Sequence, residues 1–101
     1  MKLKYKNEII DVTTTQNPLI LKYRFQKLYY AIIIKNCNRY SSIANKQRID
    51  VVMTDDNLTI LSYKLDMHEN TVFENIDATT TVLLPLGGIS NLEEGQQFIL
   101  E

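Results

Sequence analysis

The chain has 101 residues, 45% of them hydrophobic and 23% charged, and its net charge is −1. That length suits one domain spanning 1–101, and the composition excludes intrinsic disorder and a solenoid of long repeats. A single cysteine excludes an internal disulfide framework and a Cys-rich zinc site, and a single histidine leaves little room for a His-based metal site.

Lys2 to Val12 reads as one or two strands, with Leu3 and Tyr5 on one face and Lys2, Lys4 and Lys6 on the other. Asn17-Pro18 has the form of a helix start, an Asn cap followed by Pro at the first helical position. Leu21, Phe25 and Leu28 follow at helical spacing, which predicts a helix over 18–28. Ala31 to Ile34 is a β-branched run and predicts a buried strand. Asn36 to Lys46 is polar, so a long irregular and mobile loop is expected there. Arg48–Thr54 and Leu58–Met67 flank the turn signal Asp55-Asp56-Asn57 and predict an antiparallel hairpin. Thr71–Phe73 is a candidate edge piece. Thr79–Leu84 is a strand ended by Pro85, and Gln96–Leu100 is the last strand. The expected fold class is α+β: a mainly antiparallel, barrel-like sheet of about six strands with one helix.

Charge is uneven along the chain. Residues 1–50 carry ten Lys/Arg against three acids, while residues 51–101 carry Lys64 alone against nine acids. Such asymmetry marks a nucleic-acid or anion partner if the halves stay apart, and means nothing if they interleave. Five of the six tyrosines also lie in the basic half, where aromatics among cations can stack bases. The longest apolar stretch, Tyr29–Ile34, is far too short to span a membrane. No secretory signal is recognised, and the free Cys37 fits a reducing compartment, so a cytoplasmic chain without a membrane partner is expected.

Four landmarks, Arg24–Tyr29, Cys37-Asn38, Ile49–Val52 and Thr81–Gly87, stand in an order that resembles an uncharacterised bacterial and archaeal family, the domain-of-unknown-function family 192. Arg24-Phe25-Gln26-Lys27-Leu28-Tyr29 resembles its Arg-aromatic-x-Gly-Leu-Met element, with Lys27 and Tyr29 as departures. Cys37-Asn38 and Ile49-Asp50-Val51-Val52 resemble a Cys-Asn and an Ile-Asp-Val-Val element at the family's spacing. Thr81–Gly87 resembles its Val-Leu-Glu-Leu-Pro-x-Gly strand and loop. The family's His falls on Ser41, the Thr after it on Ser42, a Met on Asn45, and an Asp on Gln96. The resemblance implies a compact β-rich fold and no established activity.

The candidate binding residues are Arg24, Cys37, Asn38, Ser41, Ser42 and Asp50. Cys37 would need a base or a cation beside it to act as a nucleophile, and His68 is the only imidazole. A half-buried structural thiol is the competing reading. Asp50 heads an apolar strand and would accept backbone N–H bonds, pair with Arg24 or Arg48, or serve a pocket. Asp55-Asp56-Asn57 lacks the later Gly and Glu of a calcium loop, so no metal is expected. No catalytic constellation and no cofactor motif emerges. The expected function is a non-catalytic module that binds a protein or a small ligand through the Asn36–Lys46 loop and Arg24. The alternative is nucleic-acid or polyanion binding through Lys2, Lys4, Lys6, Lys22, Lys27, Arg39 and Lys46.

Overall fold

The computed structural model describes all 101 residues. It is all-β, with nine strands: β1 (Lys2–Tyr5), β2 (Glu8–Thr15), β3 (Ala31–Lys35), β4 (Arg39–Ser41), β5 (Ile49–Thr54), β6 (Ile60–Met67), β7 (Val72–Glu74), β8 (Thr80–Pro85) and β9 (Ile99–Leu100). Seven form one sheet in the order β6-β5-β8-β3-β2-β1-β9, and β4 and β7 form a separate two-stranded ribbon. No helix is present, so none is long and apolar enough to cross a membrane. The α+β expectation is therefore corrected on two counts, the helix and the number of strands.

The long sheet curls until its edges meet. Ile60 N donates to Gln96 O at 2.8 Å, Gly95 N to Ile60 O at 2.9 Å and Phe98 N to Leu58 O at 3.0 Å. These bonds, with the bridge Thr59–Gln97, tie the β6 edge to the chain entering β9. This contact covers only the start of β6; from Leu61 to Met67 that strand has β5 as its sole ladder partner.

Both faces of the central strands are covered, which explains their continuous apolar runs. Ala31, Ile33, Val52, Val82 and Leu84 face the interior of the curl, with Leu3, Tyr5, Ile89, Leu92 and Phe98. Ile32, Ile34, Ile49, Val51, Met53 and Leu83 face the other way, against Leu21, Leu28, Cys37, Tyr40 and Met67. The segment 86–94 plugs one end of the curl. There Tyr5 Oη donates to Asn91 O at 2.8 Å and accepts from Glu93 N at 3.0 Å.

Only the β2–β3 pairing is parallel. A parallel pair needs a crossover of a dozen residues or more, and residues 16–30 supply it. This is the segment expected to be a helix. Its cap does form, as Asn17 Oδ1 accepts from Leu19 N at 3.0 Å. Two turns follow, Lys22 N to Leu19 O at 3.0 Å and Arg24 N to Leu21 O at 3.1 Å. Tyr23 then adopts φ 62°, and its N–H bonds Ala44 O at 2.9 Å instead of a helical carbonyl. Farther on, Gln47 pins the strip from both sides: Leu28 N donates to its Oε1 at 2.6 Å, and its Nε2 donates to Gln26 O at 2.7 Å. An isolated helix of this length is marginal, and aromatic residues do little to support one. Bonds from the 44–47 segment therefore prevail, and the crossover lies as an irregular strip.

The expected hairpin forms as β5 and β6, with register shifts on each side of the Val51–Met53 stretch. The expected mobile loop over Asn36–Lys46 does not. It contains β4, which pairs with β7 in the register Arg39–Glu74, Tyr40–Phe73 and Ser41–Val72. Cys37, Tyr40, Ser42 and Asn45 from this segment are buried.

Candidate functional site

The end of the curl opposite the 86–94 plug is open. β2 and β3 run in parallel to this end, β8 begins there, and the β5–β6 turn bends over it. The turn is held by Asp55, whose Oδ1 accepts from Asn57 N and from Thr59 N, both at 2.9 Å. Its neighbour Asp56 accepts from Thr79 Oγ1 at 2.6 Å, which ties the turn to the start of β8. Gln97 Nε2 donates to Asn57 O at 2.6 Å and ties it to the β9 side. Asn36 and Leu58 flank the opening with φ 55° and 63°.

These contacts leave a cavity of about 340 Å³. Ile33, Leu58 and Leu100 form its apolar lining, and Thr14, Lys35, Asn36, Asp56 and Thr80 its polar rim. A shallower depression beside it shares Asp56, Leu58 and Leu100 and continues over Phe98. The mouth of a curled sheet is a common ligand site, because strand ends deliver several side chains to one place. Lys35 has no carboxylate partner, so its ammonium is free to meet an anion. No cluster of three His, Cys, Asp or Glu residues is placed to hold a metal ion.

The six candidate binding residues of the sequence do not converge. Asp50 is buried at the head of β5, beside the end of β8. Its Oδ1 accepts from Asp66 N and its Oδ2 from Gly87 N, each at 2.9 Å. The first N–H is freed by the bulge in β6, where Asp66 has φ 54°. The second belongs to the turn closed by Gly88 N to Pro85 O at 2.8 Å, in which Gly87 has φ 69°. Asp50 thus knits three strand ends, and it pairs with neither Arg24 nor Arg48.

Cys37 lies near the other end of β8, where its carbonyl accepts from Thr81 Oγ1 at 2.9 Å. Its thiol is buried and donates to Arg39 O at 3.3 Å. His68 sits on the surface 3.9 Å from Asp66 and makes no pair with Cys37. Cys37, Asn38 and Asn36 border a small depression of about 230 Å³ with Ala78 and Thr79. Burial first, and the Cys37 charge second, push the neighbouring Tyr40 phenol up to about 12. Ser41 is a β4 ladder residue. Ser42 Oγ donates to His68 O at 2.6 Å and accepts from Thr71 N at 3.0 Å, which staples two loops. Arg24 donates to Tyr30 Oη at 2.7 Å. The mouth residues come from five separate stretches with no shared local motif, so sequence reasoning misses most of them. Asn36, at the head of the expected binding loop, and the turn signal at Asp55-Asp56-Asn57 are the cues in the sequence that touch them.

The charge halves interleave. Lys6 pairs with Glu93 at 3.2 Å, Arg39 with Glu74 at 3.7 Å, Lys46 with Glu69 at 2.9 Å and Arg48 with Asp66 at 3.1 Å. Each joins a cation of the first half to an acid of the second. The hydrogen bond that Lys6 donates to Glu93 raises the Lys6 pKa, and the one that Asp11 accepts from Lys2 lowers the Asp11 pKa. A broad basic face over the first half does not form.

No family model matches the chain, and no curated protein matches it. Two solved structures are similar to it. One is a protein of unknown function from Novosphingobium aromaticivorans DSM 12444, with a TM-score of 0.78 at 7% identity, covering 99% of this chain and 84% of that one. The other is from Sinorhizobium meliloti 1021 and is titled a "putative transcription regulator". It gives a TM-score of 0.75 at 10% identity and covers 97% of this chain and 89% of that one. At these identities the likeness is one of fold.

Proposed function

We propose that this β-rich chain is a non-catalytic binding module whose open mouth takes a small amphipathic ligand with an anionic group. The carrying observation is the cavity of about 340 Å³ in which apolar Ile33, Leu58 and Leu100 lie beside the unpaired Lys35. A pocket of a few hundred Å³ with an apolar lining and a few convergent polar groups is the usual form of a small-ligand site. The apolar body of the ligand would lie on the three aliphatic side chains, and its anionic group would meet Lys35 and Asn36. The bonds of Asp55, Asp56 and Gln97 support a mouth that is formed before the ligand arrives, which lowers the ordering cost of binding.

The same reading takes the chain as a divergent member of domain-of-unknown-function family 192, acting in the cytoplasm, where Cys37 stays reduced. The bond from Gly87 to Asp50 supports the kinship. It joins the two most distinctive elements of the resemblance, Ile-Asp-Val-Val and Leu-Pro-x-Gly, and gives each a structural reason.

Titration with matched hexanoate, hexanol and hexylamine tests the reading by amide chemical shift. Hexanoate is expected to bind best and to move Ile33, Lys35, Leu58 and Thr80. Lys35→Ala should abolish the preference for hexanoate over hexanol. Shifts confined to other surfaces, or equal response to all three ligands, would overturn the assignment.

A further inference from the structure

The crossover strip presents a surface that the fold does not use. Leu21 and Leu28 anchor it in the core, and Ile20 and Tyr30 pack partly against it. Between and beside these anchors Tyr23 is 65% exposed, Phe25 78% and Tyr29 80%. Three outward aromatic rings within seven residues gain nothing from the core and cost solubility, so they call for a partner.

The charge of the strip is equally distinct. No acidic residue stands between Asp11 and Asp50. Lys2, Lys6, Arg39, Lys46 and Arg48 are all neutralised by carboxylates, whereas Lys22, Arg24 and Lys27 have none. The strip therefore keeps a local positive field on a chain whose net charge is −1.

Cations and rings are interleaved in space as well as in sequence. Lys22 Nζ lies 5.3 Å from the Tyr23 ring centroid. The Arg24 guanidinium lies 5.7 Å from the Tyr30 ring and is held by the Tyr30 hydroxyl at 2.7 Å. Tyr29 meets Tyr30 edge to face, with centroids 5.2 Å apart and planes at 82°, and it stays largely open to solvent.

We propose that residues 19–29 form a docking strip for single-stranded nucleic acid, with Tyr23, Phe25 and Tyr29 stacking bases and Lys22, Arg24 and Lys27 meeting phosphates. Unpaired cations select a polyanion, and exposed rings between them select one with free flat faces. A duplex hides its base faces in the stack, whereas a single strand offers one per nucleotide. An acidic peptide satisfies the charge but leaves the three rings unused. The site is separate from the mouth cavity and stands or falls independently of it.

The test uses the full chain and fluorescence anisotropy with labelled oligothymidylate and oligouridylate. The competitors are a DNA duplex of equal length, polyglutamate, and vesicles of phosphatidylcholine with phosphatidylserine. Both single strands should bind at low salt, and the duplex should bind at least about tenfold more weakly; a preference between thymidylate and uridylate identifies the natural source. Phe25→Ala with Tyr29→Ala should weaken single-strand binding by about tenfold or more, and Tyr23→Ala supplies a second ring variant. Lys22→Gln with Lys27→Gln should reduce the log–log salt slope by about 1.4. Lys64→Gln, an exposed cation on β6, should change neither. All these positions are exposed, so circular dichroism should match the parent. No single-strand binding at low salt would overturn the proposal. So would ring variants that bind like the parent, or tighter binding to duplex, polyglutamate or vesicles.

Discussion

Replacing Asp50 by Asn tests whether one buried carboxylate holds three strand ends together. The carboxylate is 3% exposed and accepts one backbone N–H on each oxygen, both at 2.9 Å. A hydrogen bond to a charged group contributes about 1.5–3 kcal/mol, and a neutral bond about half that. Asparagine keeps one acceptor and turns an NH2 group toward the other donor. One bond is then lost and the second weakened, while removing a buried charge offsets part of the loss. The expected net cost is about 2–3 kcal/mol, which lowers Tm by roughly 10–20 °C in a domain of this size. Asp50→Ala leaves both N–H groups without a partner and should cost more, about 3–5 kcal/mol. Urea unfolding followed by circular dichroism measures both variants. Amide exchange localises the effect: the Asp66 and Gly87 amides should lose protection before those of β3. Asp50→Asn within about 0.5 kcal/mol of the parent, with both amides still protected, would refute the argument.

Two further perturbations probe other buried polar groups. The Tyr40 phenol is raised from 10.0 to about 12, so over that pH range the folded chain keeps a proton that the unfolded chain releases. Its stability contribution is complete below pH 10 and is lost as pH rises toward 12, by about 1.4 kcal/mol per unit. Tyr40→Phe should flatten that alkaline decline in urea titrations while leaving stability near pH 7 almost unchanged; an unaltered slope would assign the decline to other groups. Tyr5→Phe strands Glu93 N and Asn91 O at the plugged end, so it should cost about 1–3 kcal/mol and speed exchange of the Glu93 amide. A parent-like exchange rate there would show that the plug is held by Ile89, Leu92 and Phe98 alone.

The paired strands β5 and β6 were legible because their signals are local. A continuous apolar run flanks a turn whose Asp55 carboxylate needs only residues two and four places on. The β3 run Ala31–Ile34 was legible for the same reason, since a strand buried on both faces needs apolar side chains at every position. The crossover departs from the helix that its sound local signals predict. Asn17 caps a turn as its type predicts, and Leu21 and Leu28 are buried as their spacing predicts. What ended the helix was the Ala44 carbonyl and the Gln47 side chain, some twenty residues away, which no local pattern encodes. Polarity in Asn36–Lys46 suggested mobility, yet β7 supplies a ladder partner and the Ser42–Thr71 bonds close the segment from outside. The identity of Asp50 was legible as an acceptor, but its donors, Asp66 N and Gly87 N, depend on a bulge and a turn that only assembly creates. The mouth is the extreme case. Thr14, Lys35, Thr80 and Leu100 are unremarkable where they stand in the chain, and Asp56 is marked there only as part of a turn. Strand register alone brings them together, because pairing fixes which distant residues share one end of the sheet.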